Sequence, residues 1–153
     1  MKKVKGENIS NIKKNIIVVM PAYNAAKTIE KTLKDIPGGL AAKIIVVDDA
    51  SSDKTVKIAQ KLGLKTFIHP ANLGYGGNQK TCYWEALKYN PDIIVMIHPD
   101  YQYDATLTYD LVKPILDGRF DIMLGSRIRT RQEALAGGMP WWKYIGNRFL
   151  TIT

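Results

Sequence analysis

Two apolar runs in this chain end at carboxylates, and the two acidic ends lie about fifty residues apart. The first run, residues 44–47, stops at Asp48 and Asp49, and the second, residues 93–97, is followed shortly by Asp100. Short apolar runs bounded by turn residues are typical of buried parallel strands, whose carboxyl ends share the sheet edge where ligands bind. Carboxylates gathered at that edge favour a divalent cation that faces an anionic group. The pattern therefore indicates nucleotide-diphosphate chemistry.

Strand-like and helix-like segments alternate along the rest of the chain. Strands are predicted at residues 15–20, 43–47, 64–68, 93–97 and 120–124, and helices at 28–36, 76–90 and 107–116. A further helix carries Val56, Ala59 and Leu62, with Asp53 as its N-cap. This alternation predicts an α/β fold with a mostly parallel sheet and helices on both faces.

Composition narrows the cellular setting and the partners. Cys82 is the one cysteine, which excludes an internal disulfide and favours a reducing compartment. The basic N-terminus is not followed by an apolar region, and no apolar stretch approaches the ~20 residues of a membrane span. We therefore expect a cytoplasmic protein, soluble or peripheral at the inner face of the membrane. The net charge of +8 suits a phosphorylated substrate or an anionic lipid. Nucleic acid is not an expected partner, because the basic residues are not interleaved with a recognition element.

The chain divides into three parts by composition. Residues 1–14 form a polar, basic tail, residues 15–138 hold the alternating elements, and residues 139–153 are rich in aromatic and basic side chains. The pattern of residues 139–153 predicts the first turns of a helix, and the chain ends soon after that helix begins. We expect the chain to be truncated at its C-terminus.

Residues at the first two strand ends have the chemistry to hold a nucleotide base. Tyr23 follows the first strand and can stack on a base, with Pro21 as a rigid floor beneath it. Asp49, on the neighbouring strand, can accept a hydrogen bond from a ring N–H of that base. Taken alone, a tyrosine at a strand end is more often a packing residue.

Five short motifs occur in order along the chain. They are Pro21-Ala22-Tyr23-Asn24, Val47-Asp48-Asp49-Ala50-Ser51-Ser52-Asp53, Asn72-Leu73-Gly74-Tyr75-Gly76-Gly77-Asn78, Asp100-x-Gln102 and Gly125-Ser126-Arg127. The series, which covers residues 15–150, resembles a family 2 glycosyltransferase with the GT-A fold, a Rossmann-like architecture. It most resembles the branch of dolichol-phosphate mannosyltransferase and the polyprenyl-phosphate glycosyltransferases. Residues 15–138 would then be the nucleotide-sugar-binding core.

The resemblance implies a role for each matching residue. Residues that hold the nucleotide, of UDP or GDP type, are Pro21, Ala22, Tyr23, Asn24, Val47 and Asp49. Residues near the donor sugar and diphosphate are Gly76, Gly77, Asn78, His98, Pro99 and Gln102, with Asn72 beside them. Asp100 corresponds to the second acid of an Asp-x-Asp motif that binds Mg²⁺ or Mn²⁺, and Arg127 to an arginine that neutralises phosphate. Asp100 and Arg127 are the expected catalytic residues, because a metal and an arginine stabilise the charge of a departing diphosphate.

Two positions depart from the family's pattern: His98, and Ala25, which stands where the branch often has an acid. His98 stands where the first acid of Asp-x-Asp would be, and histidine is a poor ligand for Mg²⁺. We expect His98 to shape the site or contact a phosphate, with metal ligation as the alternative. The run from Gly74 to Thr81 resembles a phosphate loop but lacks a glycine before its lysine. It is interpreted as a tight helix start near the donor, with backbone geometry alone as the alternative.

The acceptor side suggests a lipid phosphate. No convincing general base follows Arg131 except Glu133, whereas a polyprenyl phosphate brings an anionic oxygen and needs no base. Residues 139–153 are then the start of an acceptor-side or interfacial helix, in which Lys143 and Arg148 meet the phosphate. A glycan or a secondary metabolite is the alternative acceptor, and packing on the sheet is the alternative role of Trp141 and Trp142.

Other functions fit the sequence less well. A sugar-nucleotide pyrophosphorylase would carry a glycine-rich, arginine-containing loop after the first strand, and a receiver domain would carry its acidic pair there. A non-catalytic nucleotide-binding fragment is the alternative from a different class. It would bind UDP or GDP without transferring sugar.

Overall fold

A computed structural model describes residues 14–125 of the 153-residue chain. Its strands are β1 (Ile16–Ala22), β2 (Lys43–Asp48), β3 (Lys65–Ile68) and β4 (Ile93–Met96). Its helices are α1 (Ile29–Asp35), α2 (Thr55–Lys61), α3 (Gly74–Leu87) and α4 (Thr108–Leu116), and a short 3₁₀ turn, Ala105–Leu107, precedes α4. Strands and helices thus alternate as the sequence predicts.

The four strands form one parallel sheet in the order β3-β2-β1-β4. β1 pairs with β2 so that Met20 lies opposite Val46, and with β4 so that Val18 lies opposite Val95. The chain therefore adds β2 and β3 on one side of β1 and then crosses to the other side for β4. Such a switch point leaves a crevice outside the carboxyl ends of the strands, and ligands of α/β proteins bind there.

Side chains of β1 are buried on both faces of the sheet and alternate between two layers of helices. The even-numbered side chains pack with α1 and α2 and, at the start of the strand, with Val112 of α4. The odd-numbered Ile17 and Val19 pack against Cys82 and Ala86 of α3. This double burial explains why the strand is apolar at every position. The prediction of a parallel sheet with helices on both faces is confirmed.

Pro21 lies within β1, although the sequence predicts that the strand ends before it. The carbonyl of Val19 accepts from the N–H of Ile97 toward β4, and the carbonyl of Ala22 accepts from Asp49 toward β2. Because successive residues point to alternate sides, the missing N–H of Pro21 faces the β4 side. Pairing with β4 has already ended there at Val19. The proline therefore removes no ladder bond, and the crevice opens beside it.

The predicted strand at residues 120–124 is wrong. This segment makes no strand pairing, and Phe120, Ile122 and Leu124 are 55%, 75% and 85% exposed. Residues 121–125 and β4 instead line a common cavity of about 470 Å³, so the segment does not join the sheet edge. An apolar run indicates a surface that packs well in a sheet, but pairing depends on which element lies alongside.

The helices of the described region are short. α1 and α2 have 7 residues each, and α3 has 14. Within residues 14–125, no helix combines the length and apolar character needed to cross a membrane.

Lys54, rather than the predicted Asp53, occupies the N-cap position of α2. Asp53 nevertheless accepts the N–H of Thr55 at 2.8 Å, so its carboxylate still satisfies a donor of the first turn.

Candidate functional site

A cavity of about 430 Å³ lies at the carboxyl ends of β1, β2 and β4, at the switch point of the sheet. Its described lining residues are Pro21, Ala22, Tyr23, Ala25, Asp49, Asn72, Gly74, Tyr75, Asn78, His98, Pro99 and Asp100. The volume is in the range of small-molecule sites. No lysine or arginine is among these described lining residues, so their ionised groups at neutral pH are the carboxylates of Asp49 and Asp100.

Tyr23 is held at the mouth of the cavity by the loop that follows β1. Asn24 has a positive φ of 51°, and its N–H donates to the Ser51 hydroxyl at 2.8 Å. Its side-chain oxygen accepts from the N–H of Ser52 at 3.0 Å. These bonds fix the turn against the loop after β2 and leave Tyr23 56% exposed. An exposed ring on a fixed turn is a surface on which a planar base can stack.

The two adjacent acids at the end of β2 do different work. Asp48 is 0% exposed and accepts from the N–H and the hydroxyl of Ser51, at 2.9 and 2.5 Å. Ala50 has a positive φ of 59°, which costs a non-glycine residue about 1 kcal/mol and closes this turn tightly. Asp48 therefore stabilises the loop, whereas Asp49 lines the cavity.

Asp49 is buried and bonded from two directions. Its Oδ1 accepts from the N–H of Leu73 at 2.8 Å and lies 2.8 Å from Nδ1 of His69. Burial raises the pKa of this carboxyl, but hydrogen bonds from His69 and from the backbone of Leu73 and Gly74 outweigh burial and hold the pKa below its usual value. The carboxylate is therefore ionised at neutral pH and can accept a hydrogen bond from a ligand.

The loop after β4 presents Asp100 to the cavity through a constrained backbone. Tyr101 has a positive φ of 60°, its hydroxyl donates to Asp35 at 2.7 Å, and the Lys31 ammonium lies 3.8 Å from its ring centroid. Asp100 itself is exposed, and its Oδ1 accepts from the N–H of Gln102 at 3.0 Å. Strained non-glycine residues thus follow β1, β2 and β4, and such residues cluster at ligand sites.

His98 belongs to an aromatic group beside Asp100. Its ring stacks on that of Tyr75, with centroids 5.3 Å apart and planes at 9°. The ring of Tyr103 is tilted by 39° to that of His98, with centroids 6.2 Å apart. The Tyr75 hydroxyl is 3.3 Å from His98 Nε2. The stack fixes one wall of the cavity and joins the start of α3 to the end of β4.

Asn78 carries an unsatisfied buried oxygen. The residue is 4% exposed, and within the described part of the chain its Oδ1 has no hydrogen-bond partner. Its Nδ2 donates weakly to the carbonyl of Ala22 at 3.4 Å, and because a carbonyl can only accept, this contact fixes the orientation of the amide. A buried carbonyl without a donor costs about 1–3 kcal/mol, so a ligand donor at this oxygen would be favourable.

The side chains of the cavity fit a divalent cation only if a bound ligand completes the coordination shell of the metal. Among residues 14–125 there is no cluster of three or more histidine, cysteine or acidic side chains suited to a metal. Asp100 and His98 line the cavity beside the end of β4, and both side chains carry atoms that can ligate a metal. Mg²⁺ commonly binds through one or two carboxylates together with substrate phosphates and water. The site therefore fits a cation that arrives with a diphosphate better than a resident metal.

Several residues that the sequence singles out do not line this cavity. Val47 is fully buried in the core, Gln102 contributes its backbone N–H to Asp100, and Asn24 supports the loop. Gly77 has a packing reason, because a Cβ there would lie 2.8 Å from the Cβ of Leu73, and a Cβ on Gly76 would meet nothing. Arg127, Lys143 and Arg148 lie outside the described residues. The roles of all these residues remain predictions.

The sequence interpretation did not single out His69, and it gave Tyr75 and Thr81 no role of their own within the glycine-rich run. His69 directly follows the third predicted strand, so its position at the same sheet edge as Asp49 could have marked it. Thr81 and Tyr75 lie on α3, where nothing in the local sequence indicates which neighbour they meet.

Comparison with protein families gives one match over most of the chain. The sequence model of Glycosyl transferase family 2 matches residues 17–152. Among curated proteins, the "Uncharacterized protein MJ1222" of Methanocaldococcus jannaschii is 40% identical over 95% of this chain and 59% of its own length. UDP-N-acetylglucosamine--dolichyl-phosphate N-acetylglucosaminyltransferase of Methanococcus voltae is 28% identical over 91% of this chain and 61% of its own length. The chain thus spans about three fifths of the length of these relatives.

Solved structures have the same fold. Glucosyl-3-phosphoglycerate synthase of Mycobacterium tuberculosis, in complex with Mn²⁺, UDP and glucosyl-3-phosphoglycerate, superposes with a TM-score of 0.58 at 27% identity. The match covers 76% of this chain and 46% of the mycobacterial chain. The four-stranded parallel sheet with its helices is therefore a GT-A fold, as the motifs predict.

Proposed function

The chain belongs to glycosyl transferase family 2, and from that membership we propose that the protein moves a sugar from a nucleoside-diphosphate donor to an acceptor, with inversion at the anomeric carbon. The preferred acceptor in this proposal is a polyprenyl phosphate. The observation that carries the proposal is the convergence of Tyr23, Asp49 and Asp100, from three strand ends, on one cavity at the switch point.

The nucleotide base is proposed to lie between Tyr23 and Asp49. The exposed ring of Tyr23 offers a stacking surface, and the ionised carboxylate of Asp49 can accept a ring N–H. Uracil and guanine both carry such an N–H, so the geometry suits a UDP or a GDP donor. The mycobacterial structural neighbour contains UDP, which supports the uridine form.

The diphosphate is proposed to lie toward Asp100 and the start of α3. Asp100 would hold a Mg²⁺ or Mn²⁺ ion that offsets the charge of the departing nucleoside diphosphate. His98 and Pro99 shape this side of the cavity, and Asn78 offers its free carbonyl oxygen to a hydroxyl of the donor. Arg127, outside the described residues, is proposed to add positive charge where the leaving group becomes negative. The neighbour with Mn²⁺ and UDP supports a divalent cation.

The acceptor is proposed to attack with an oxygen that is already anionic. A lipid phosphate needs no general base from the protein. This agrees with the proposal that the described acids of the cavity bind the nucleotide base and the cation. The Methanococcus voltae relative is named for a dolichyl-phosphate acceptor, which supports this choice. Lys143 and Arg148 are proposed to bind the lipid phosphate at the cytoplasmic face of a membrane. The mycobacterial neighbour, whose product is glucosyl-3-phosphoglycerate, makes a small phosphorylated acceptor the alternative.

The first test is calorimetric titration of the purified chain with UDP and GDP, with and without Mn²⁺. We expect binding that requires Mn²⁺, is lost in Asp100→Ala, and weakens in Asp49→Ala. Asp110→Ala is the matched control, because Asp110 is an exposed carboxylate on α4 outside the cavity. If the folded chain binds neither nucleotide, the donor site is wrong.

Transfer itself is tested by incubation with a sugar nucleotide and vesicles that contain a polyprenyl phosphate, followed by detection of the glycolipid. 3-Phosphoglycerate in place of the lipid distinguishes the soluble alternative. Nucleotide binding without product from either acceptor would favour the non-catalytic binding module over the transferase.

A further inference from the structure

His69 joins the carboxylate of the proposed base site to helix α3. Its Nδ1 lies 2.8 Å from Asp49 Oδ1, and its Nε2 lies 2.9 Å from the Thr81 hydroxyl. The His69 side chain is 10% exposed and that of Asp49 is 4% exposed, so water competes little with either bond. The backbone N–H of His69 also donates to the carbonyl of Asp48 at 2.9 Å, which fixes the origin of the imidazole.

The hydrogen positions in this chain of bonds follow from Asp49. An ionised carboxylate can only accept, so Nδ1 of His69 carries a hydrogen and donates it. In neutral His69, Nε2 then accepts from the Thr81 hydroxyl. If the imidazole is protonated, Nε2–H donates to that hydroxyl, which can turn to the Gly77 carbonyl at 3.3 Å. Both protonation states therefore leave every group in the network bonded, and Asp49 receives a donor in each.

The segment after β3 wraps around Asp49 as well. Leu73 donates its N–H to Oδ1, and the Asn72 side chain donates to the Asp49 carbonyl at 3.2 Å. Oδ1 accepts from both His69 and Leu73, and the Asp49 carboxylate still lines the cavity, where the donor group of a ligand can reach it. The hydroxyl, imidazole and carboxylate follow one another as in a nucleophilic triad, but neither His69 nor Thr81 lines either of the two cavities described above. Their effect on a ligand therefore passes through Asp49.

We propose that His69 is a positioning residue for nucleotide recognition, which holds the Asp49 carboxylate oriented and ionised for the base and couples it to α3 through Thr81. This inference rests on the proposed function, because it assigns Asp49 to the base. It adds a residue whose side chain does not itself reach the cavity.

The titratable groups around Asp49 determine the direction in which nucleotide binding should change with pH. Asp48, its neighbour on β2, is engaged by its own loop, and His98 and Asp100 face the same cavity from the end of β4. The coulombic contribution to the lowered pKa of Asp49 comes from His69. Without the imidazole, burial still raises this pKa, so the carboxyl protonates at higher pH. In a chain without the imidazole, acidification should therefore abolish nucleotide binding at a higher pH than in the unchanged chain.

The test compares His69→Ala, His69→Asn and Thr81→Val with the unchanged chain, and uses Thr66→Val on β3 as a control. Asparagine keeps an N–H near the position of Nδ1, whereas alanine removes it. Folding of each variant is checked by urea unfolding. Two quantities are measured: the UDP and GDP affinity in Mn²⁺ from pH 4 to 8, and the titration of the Asp49 carboxyl by NMR without ligand, assigned with Asp49→Asn.

We expect His69→Ala to bind about tenfold more weakly, as loss of a charge-assisted bond implies. In this variant, the pH at which nucleotide binding falls on acidification should be higher than in the unchanged chain. The pH at which the Asp49 carboxyl titrates should also be higher. His69→Asn should recover most of the affinity, Thr81→Val should fall between them, and Thr66→Val should match the unchanged chain. Equal affinity and an unmoved Asp49 titration in folded His69→Ala would overturn the inference. If the unchanged chain binds neither nucleotide, the proposed function fails, and the ligand-free titration still decides whether His69 controls Asp49.

Discussion

Thr55→Val tests how the loops that carry the candidate base site are held together. Thr55 is fully buried, and its hydroxyl oxygen accepts from the N–H of Ala25 at 2.7 Å while its hydrogen goes to Asp53. Ala25 belongs to the loop after β1, which also carries Tyr23, so this one hydroxyl joins that loop to the start of α2. Valine has nearly the same shape and removes only the hydrogen bonding.

The magnitude follows from the groups that valine leaves behind. Ala25 is 6% exposed, and an orphaned buried N–H costs about 1–3 kcal/mol. Asp53 is exposed and keeps the N–H donors of Thr55 and Ala26, at 2.8 and 3.1 Å. Losing the Thr55 hydroxyl as a donor therefore costs Asp53 less than the lost acceptor costs Ala25. The added methyl group contributes about 0.8 kcal/mol in the opposite direction. We therefore expect the free energy of unfolding to fall by about 2 kcal/mol.

Urea unfolding at pH 7 measures this change. With a slope of about 1–3 kcal/mol/M, the midpoint should fall by roughly 1 M at unchanged slope. Thr66→Val is the control, since the Thr66 hydroxyl only donates to the Leu64 carbonyl and no buried N–H loses its partner. A decrease below about 0.5 kcal/mol for Thr55→Val, or an equal decrease for both variants, would refute the reasoning.

The same variant has a pH signature. Partial desolvation raises the pKa of Asp53, but hydrogen bonds from the Thr55 side chain, the Thr55 backbone and Ala26 outweigh it and hold the pKa below its usual value. A carboxyl whose folded pKa is lowered stabilises the fold above its unfolded pKa and loses that contribution as pH falls through the folded pKa. Thr55→Val weakens this contribution. The difference between variant and unchanged chain should therefore shrink in that acidic range.

Two further predictions concern buried groups of α3. Burial raises the pKa of the Cys82 thiol to about 12, so a thiol reagent at pH 8 should label this single cysteine only as fast as the protein unfolds, and rapid labelling of folded protein would contradict its burial. Asn78→Leu replaces the unsatisfied carbonyl by an apolar group of similar shape, and should raise the ligand-free unfolding free energy by about 1 kcal/mol while it weakens nucleotide binding in calorimetry. A variant that is less stable and binds normally would show that the amide serves only packing.

The sequence alone determined the order and kind of the elements. The apolar runs that became β1, β2 and β4 end near prolines or acids, and the amphipathic stripes between the strands became helices. These signals are local, because burial on both faces requires an apolar residue at every strand position and a helix requires a stripe. Parallel strands then place their carboxyl ends at one edge, which is why the sequence by itself groups Tyr23, Asp49 and Asp100 there.

Tertiary structure alone decided which neighbouring residues face the ligand and which support it. Asp48 and Asp49 are adjacent and chemically identical, yet one is bonded within its loop and the other lines the cavity, because successive side chains leave a strand on opposite faces. His69 meets Asp49 and Thr81 only because β3 lies beside β2 and α3 packs against the same face. Residues 120–124 have a strand-like pattern and form no strand, because pairing needs a partner that the pattern cannot specify. Local patterns fix the elements, whereas contacts between residues far apart in the chain fix the site.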